Sequence, residues 1–302
     1  MESPESLEPS VNWQERYNAS HIVTVRLKMI DRPGKLAECL TAMGQCGAPI
    51  GDIRMIGADS EFKIRDVQIF FTDANHAERT LDLLREVEGA EVLFVSNDVL
   101  EIHRGGTIET VSRVPLETVM DLRMVYTPGV ASVCRRIAEL PEAAWDYTHK
   151  GNRIAIVTNG TAVLGLGDIG PLASLPVMEG KAAILAHYVG VSADPVLLDT
   201  KDEEEIIEIV SKMASHFGAI QLEDIAAPAC FEIEHRLGER LDIPVFHDDQ
   251  HGTATVCVAG LINALRRTDR QPGDVRAVVL GALASDRRSK IAFLSHNLSL
   301  TK

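Results

Sequence analysis

The chain has 302 residues, 45% hydrophobic and 25% charged, the balance of a folded globular protein of two domains, or three. With 30 Lys and Arg against 44 Asp and Glu the formal net charge is -14, which argues against nucleic acid or an anionic membrane surface as partner but leaves room for local cations around an anionic substrate. The cysteines Cys39, Cys46, Cys134, Cys230 and Cys257 form no Cys-x-x-Cys pair, the acidic start lacks the apolar stretch of a signal peptide, and no run approaches the roughly 20 apolar residues of a membrane span, so a reducing cytoplasm is the expected setting.

Residues 1–19 read as a flexible tail. From His21, Val23, Val25, Leu27 and Met29 alternate with polar residues, the period of a half-buried strand. The turn Asp31-Arg32-Pro33-Gly34 follows, then Leu36, Leu40 and Met43 at helical spacing and a strand over 50–56. A third strand carries Val67, Ile69 and Phe71, a second helix has Ala77, Leu81 and Leu84 on one face, and a last strand covers 91–100. The order βαββαβ over residues 20–105 predicts a ferredoxin-like sandwich of one antiparallel sheet and two helices. With its Asp-Arg-Pro-Gly turn between first strand and first helix, this segment resembles an ACT domain. The resemblance implies sensing of an amino acid or another small effector where two such domains pair, with Asp31 offering polar groups and Gly34 a close backbone approach. A plain strand-to-helix turn without a ligand is the other reading.

The stretch His103-Arg104-Gly105-Gly106-Thr107 reads as a linker. Over residues 106–272 the pattern becomes α/β. Apolar runs at 154–157 and 196–198 read as buried strands, the first followed by the turn Asn159-Gly160 and the second ending at Asp199. Residues 202–215 are helical, with Ile206, Ile209, Val210 and Met213 on one face and an acidic first turn. The strand 219–222 ends in Glu223-Asp224, 231–237 is helical, the strand 244–246 ends in His247-Asp248-Asp249, 252–265 is helical and 275–280 is a strand. Strands alternating with helices predict a largely parallel sheet. In such sheets ligands bind beyond the carboxyl ends of the strands.

Two of those ends carry paired carboxylates. Hard cations such as Mg2+ or Mn2+ take oxygen ligands in octahedral geometry, and three carboxylates, water and a chelating 2-hydroxy acid would complete that shell. Read singly, each acidic pair is more simply a cap on the next helix. The flanks change this. Gln221-Leu222-Glu223-Asp224-Ile225 and Phe246-His247-Asp248-Asp249-Gln250-His251-Gly252-Thr253-Ala254, with Val125-Tyr126-Thr127-Pro128-Gly129-Val130 and Gly165-Leu166-Gly167-Asp168-Ile169-Gly170, resemble the malic enzyme family, four motifs in the family's order.

That resemblance implies oxidative decarboxylation of L-malate to pyruvate and CO2 with NAD or NADP and Mg2+ or Mn2+. By motif, Tyr126 is the implied general acid that protonates the enol of pyruvate. Lys181, in Val177-Met178-Glu179-Gly180-Lys181, is the implied general base for the malate hydroxyl, which requires its pKa to be lowered by burial or by the charge of the adjacent metal. Glu223, Asp224 and Asp249 are the implied metal ligands, and Asp248 orients the lysine or a ligand. Without the motifs, Tyr126 would read as a buried, hydrogen-bonded tyrosine and Lys181 as a solvated surface residue. Larger members of the family place an arginine near the substrate carboxylate. Here Ala162 stands at that point, as in the smaller bacterial branch, which leaves Asn159 and backbone amides to hold the carboxylate.

Gly165-x-Gly167-x-x-Gly170 spells a dinucleotide fingerprint, but Pro171 follows at once and no clear helix opens there. The resemblance instead makes this loop part of the substrate site, with Gly167 shaping it and Asp168 ordering it. His247 and His251 read as packing or capping residues rather than ligands of a softer metal.

The stretch 276–282 opens like a nicotinamide-binding Rossmann strand and turn, with Gly281 as its first glycine. Residues 283–290 supply no second glycine and the rest of 273–302 has no family pattern, as an altered reading frame or a truncation near Gly281 would leave it. The expectation is a lone strand over 278–280, an exposed apolar surface, negligible nicotinamide binding and impaired activity in this chain alone. The alternative reading is an amino-acid-sensing module attached to an inactive catalytic remnant. A homo-oligomer is expected because both domain types tend to pair, and in the malic enzyme family Tyr126 and Lys181 can come from different subunits.

Overall fold

The computed structural model describes residues 21–271 and Gly273, and the backbone of 276–278 and 299–301. The expected tail at 1–19 and Gly281 lie outside the described residues. The chain divides into two compact units, Met1–Gly105 and Gly106–Lys302.

The first unit runs β1 (His21–Ile30), α1 (Lys35–Gln45), β2 (Ile50–Ala58), β3 (Phe62–Phe71), α2 (Ala74–Arg85) and β4 (Ala90–Asn97). Its sheet has the order β2-β3-β1-β4 with every pairing antiparallel. The period-two alternation in β1 and β3 sends Val23, Val25, Leu27, Val67, Ile69 and Phe71 to one face. There they meet Cys39 and Met43 of α1 and Leu84 of α2. β4 ends before residue 100, because the Asn97 side chain accepts the N–H groups of Val99 and Leu100 at 3.1 Å and caps a short helix, α3 (Asp98–Ile102); capping by asparagine favours the helix over a longer strand.

In the second unit α4 (Val119–Val125), α5 (Val130–Glu139) and α6 (Ala144–Tyr147) precede β5 (Arg153–Thr158), α7 (Pro171–Ile184), β6 (Ser192–Leu197), α8 (Glu203–Met213), β7 (Ala219–Leu222), α9 (Ala229–Arg240), β8 (Val245–His247) and α10 (Asp248–Thr268). All strands pair in parallel, in the order β6-β5-β7-β8. On one face Ala155, Val157, Ile220 and Leu222 pack against Ile206, Ile207 and Val210 of α8 and Ile233 and Leu237 of α9. On the other, Ile156 meets Met178 and Ala182 of α7. Cover on both faces is why these strands are continuous apolar runs rather than alternating ones.

Helix α7 corrects an expectation. A helix does open after the glycine loop, with Pro171 at its first turn, where the missing N–H leaves no hydrogen bond unmade. The short strand β9 (Arg276–Val278) also departs from its expected isolation: it pairs in parallel with β10 (Ser299–Thr301).

Candidate active site and metal centre

The carboxyl ends of β7 and β8 lie side by side, and two acidic pairs follow them. In an extended strand Glu223 and Asp224 would point to opposite faces. Asp224 instead adopts a φ of +54°, a left-handed conformation that aspartate tolerates better than most residues, and the two carboxylates turn toward one point. The Asp224 N–H donates to Oδ2 of Asp249 at 3.2 Å. Glu223, Asp224 and Asp249 each place a carboxylate oxygen within 4.8 Å of the others. Asp248 and Asp249 stand in the first turn of α10, which begins ahead of the expected 252. Neither acidic pair caps a helix: the N-cap positions of α9 and α10 are Pro228 and His247, and neither makes a capping hydrogen bond.

Glu223 and Asp224 are 5% and 4% exposed. Burial pushes the Glu223 carboxyl up to about 7, and burial together with the charge of Asp249 pushes Asp224 up to about 6. Gln221 Nε2 donates to Glu223 Oε2 at 2.6 Å, whereas the buried Oδ2 of Asp224 has no hydrogen-bond partner. A buried carboxylate oxygen without a donor, beside two more carboxylates, is strongly unfavourable unless a cation joins it. The all-oxygen donor set fits a hard divalent cation.

Lys181, on α7, places Nζ 2.6 Å from Asp248 Oδ2 and 3.1 Å from Glu223 Oε1, with a quarter of its side chain exposed. It is therefore not a solvated surface lysine. Burial is the largest single influence and draws its pKa down, but the hydrogen bonds and charges of Asp248 and Glu223 outweigh it and leave the ammonium above its ordinary value. This is opposite to the lowering expected for a base. The cause is the surrounding negative charge, which a bound cation would offset.

Tyr126 ends α4 and is 68% exposed, with no hydrogen bond from its hydroxyl to a described residue. The buried reading fails, and among the described residues no hydrogen bond joins Tyr126 to the acidic centre. Asn159 is buried, but its Nδ2 donates to Thr200 O at 3.1 Å and its Oδ1 accepts from Thr161 N and Oγ1. The neighbouring amides are engaged too: Gly160 N on Thr158 Oγ1, Thr161 N on Asn159 Oδ1 and Ala162 N on Asp224 O. The donors expected to hold a substrate carboxylate thus hold the turn itself. Gly167 has φ +74° and bridges to Val163, and Asp168 pairs with Lys201 at 2.6 Å. In the first unit Asp31 pairs with Lys63 at 2.5 Å and Gly34, at φ +87°, stands before α1.

Two residues of the site escape motif reading. Gln221 interrupts the buried run Ile220-Gln221-Leu222, and Glu234 lies among Cys230, Ile233 and Leu237 on the buried face of α9. A polar group on an apolar stripe is the signal that marks both. Glu234 accepts the N–H of His247 at 3.1 Å and a second bond from His251 Nε2. His247 is wholly buried, burial lowers its pKa, and its ring nitrogens have no hydrogen-bond partner.

Comparison with known proteins agrees with this geometry. The family described as malic enzyme, N-terminal domain, matches residues 105–238. The chain is 48% identical over 259 residues to the NAD-dependent malic enzyme of Geobacillus stearothermophilus, covering 86% of this chain and 54% of that one. It is 43% identical over 268 residues to NAD-dependent malic enzyme 1 of Bacillus subtilis, covering 87% and 61%. The crystal structure of the NAD-dependent malic enzyme from Thermotoga maritima matches with a TM-score of 0.62 at 46% identity, over 66% of this chain and 55% of that chain. The chain thus spans little more than half the length of these curated relatives. With its parallel sheet, converging acids and matching segment, this chain carries a malic enzyme N-terminal domain.

Proposed function

We propose that the second unit is the malate- and metal-binding part of an enzyme that converts L-malate to pyruvate and CO2, with NAD or NADP as hydride acceptor and Mg2+ or Mn2+ as metal. The observation that carries this reading is the convergence of three carboxylates beside the Lys181 ammonium. Glu223, Asp224 and Asp249 would hold the cation. When bound, it supplies Lewis-acid polarisation of the substrate oxygens and offsets charge as CO2 departs. With a cation offsetting the surrounding carboxylates, Lys181 would accept the proton of the C2 hydroxyl and Asp248 would orient its amine, a bound nicotinamide supplying the acceptor for the C2 hydride. Loss of CO2 from the resulting oxaloacetate leaves the enol of pyruvate, and Tyr126 delivers the proton taken up at C3. Gly167 and Asp168 shape the loop beside this site, and Asn159 braces the turn below it.

Tyr126 reaches the centre, in this reading, from a second copy of the chain. It stands exposed with Val119, Leu122 and Met124, an apolar run of the kind that partners cover. Titration with Mn2+, followed by loss of the free aqua-ion EPR signal, tests the metal site: saturable binding is expected, and its absence would remove the basis of the proposal. NADH or NADPH formation from malate by this chain alone is expected to be negligible, because the segment after Gly281 lacks the second glycine of the pyrophosphate turn.

The first unit fits an ACT-like regulatory domain with an amino-acid effector. Its βαββαβ order, the Gly34 turn and a groove of about 560 Å³ lined by Gly34, Glu38, Thr41 and Glu86 support this. Calorimetry with a panel of amino acids is the test. No heat from any of them would leave a self-pairing module only. Among the described residues no helix is long and apolar enough to cross a membrane.

A further inference from the structure

Glu234 is 6% exposed on α9, where an acid needs hydrogen-bond donors to be tolerated. Two of its partners belong to the segment that carries Asp248 and Asp249. The backbone N–H of His247, the last residue of β8, donates to Oε1 at 3.1 Å. The Nε2 group of His251, in the first turn of α10, meets the same oxygen, and the His251 ring stacks on Phe246 with centroids 5.5 Å apart. One carboxyl group therefore grips the chain on both sides of the Asp248-Asp249 pair. The imidazole of His247 makes no hydrogen bond, its buried Nδ1 lying 3.8 Å from Asp249 Oδ2, and Glu234 holds this residue through the backbone. The connection runs onward, because Asp249 Oδ2 accepts the N–H of Asp224.

We propose that Glu234 is a positioning residue for the metal centre. It fixes where Asp248 and Asp249 stand without touching cation or substrate, and His251 is its second point of attachment. Loss of a group that orients a ligand from behind typically lowers metal affinity by about 10- to 100-fold. The inference rests on the reading that Glu223, Asp224 and Asp249 hold a divalent cation.

The test uses Mn2+ binding to the full chain, read by EPR, and the d–d absorption of the Co2+-loaded chain. Glu234→Gln keeps an oxygen acceptor and is expected to bind Mn2+ nearly as the parent does. Glu234→Leu removes the acceptor and is expected to weaken Mn2+ binding roughly ten-fold or more and to alter the Co2+ spectrum. His251→Phe keeps a ring on Phe246 and loses only the donor, on a side chain that is 35% exposed. It is expected to fold, to weaken Mn2+ binding in the same direction and to alter the Co2+ spectrum. Unfolding midpoints without metal separate this from general destabilisation. Unchanged Mn2+ affinity and Co2+ spectrum in Glu234→Leu and His251→Phe would overturn the inference. So would a loss in Glu234→Leu that matches its unfolded fraction while His251→Phe is unchanged. A parent chain that binds no Mn2+ overturns the metal reading and this inference with it, and that result is distinct because it precedes any variant.

Discussion

The Lys181 ammonium lies 2.6 Å from Oδ2 of Asp248, and its second neighbour, Glu223 Oε1 at 3.1 Å, belongs to a carboxylate of the proposed metal centre. Lysine and cation therefore compete for the same negative charge. Lys181→Met is expected to bind Mn2+ roughly ten-fold more tightly, because a like charge a few ångström away opposes the ion by several kcal/mol at an effective dielectric of about 20, part of it screened by solvent. Equilibrium titration checks this. Weaker binding in Lys181→Met would show that the lysine supports the site rather than opposing the ion.

The raised carboxyls have a consequence with a definite sign. Glu223 at about 7 and Asp224 at about 6 lie above their ordinary values of 4.5 and 3.8. Between ordinary and folded values the native state holds more protons than the unfolded chain, so these groups make metal-free stability fall as pH rises from about 4 to about 7, by an amount on the order of a few kcal/mol. Thermal midpoints in EDTA should fall across that window. Saturating Mn2+ should reverse the trend, because the ion binds only deprotonated carboxylates and stabilises the state that binds it. A midpoint in EDTA that rises with pH over this range would contradict the burial of the two acids.

Asp224→Asn keeps the shape of the side chain and deletes its charge. It is expected to stabilise the metal-free chain by about 1–2 kcal/mol, as relief of a strained functional group does, and to abolish the Mn2+-induced rise in midpoint. Denaturant titrations with and without Mn2+ measure both. Opposite signs in the two conditions are the mark of a ligand; a loss in both would make Asp224 an ordinary structural acid.

Much of this centre was legible before any coordinates. The stretches 219–222 and 244–246 mark strands of a parallel sheet, and the acids at their carboxyl ends sit where such sheets bind ligands. The left-handed turn at Asp224 was not legible, because nothing in Leu222-Glu223-Asp224 announces a change of backbone region. Helix α7 was hidden by Pro171, which reads as a breaker although it occupies a position where proline is favoured. With that helix hidden, Lys181 could be placed by motif only, and its contacts with Asp248 and Glu223 depend on how α7 lies across the sheet. Asn159 shows the opposite failure: a polar residue at a strand end looks available to a ligand, and only the fold reveals that Thr161 and Thr200 already engage it.

The turn that starts this arrangement offers the most direct structural test. Gly160 has φ +65°, and a Cβ placed there would lie 2.2 Å from the carbonyl oxygen of Gly170. The obstacle is backbone, so no side chain can swing aside. The Gly160 carbonyl also accepts the N–H groups of Ile169 and Gly170 at 3.1 Å, which ties the turn to the point where α7 begins. Gly160→Ala is therefore expected to destabilise the chain by about 2–4 kcal/mol, left-handed strain and steric conflict together, and to weaken Mn2+ binding by disturbing the turn whose Ala162 N–H donates to the carbonyl of Asp224. Gly165→Ala is the control: φ is +78° but open space surrounds the added carbon, so only the left-handed penalty of about 1 kcal/mol applies. Denaturant midpoints distinguish the two, and equal losses would mean that Gly160 and Gly170 do not approach as closely as described.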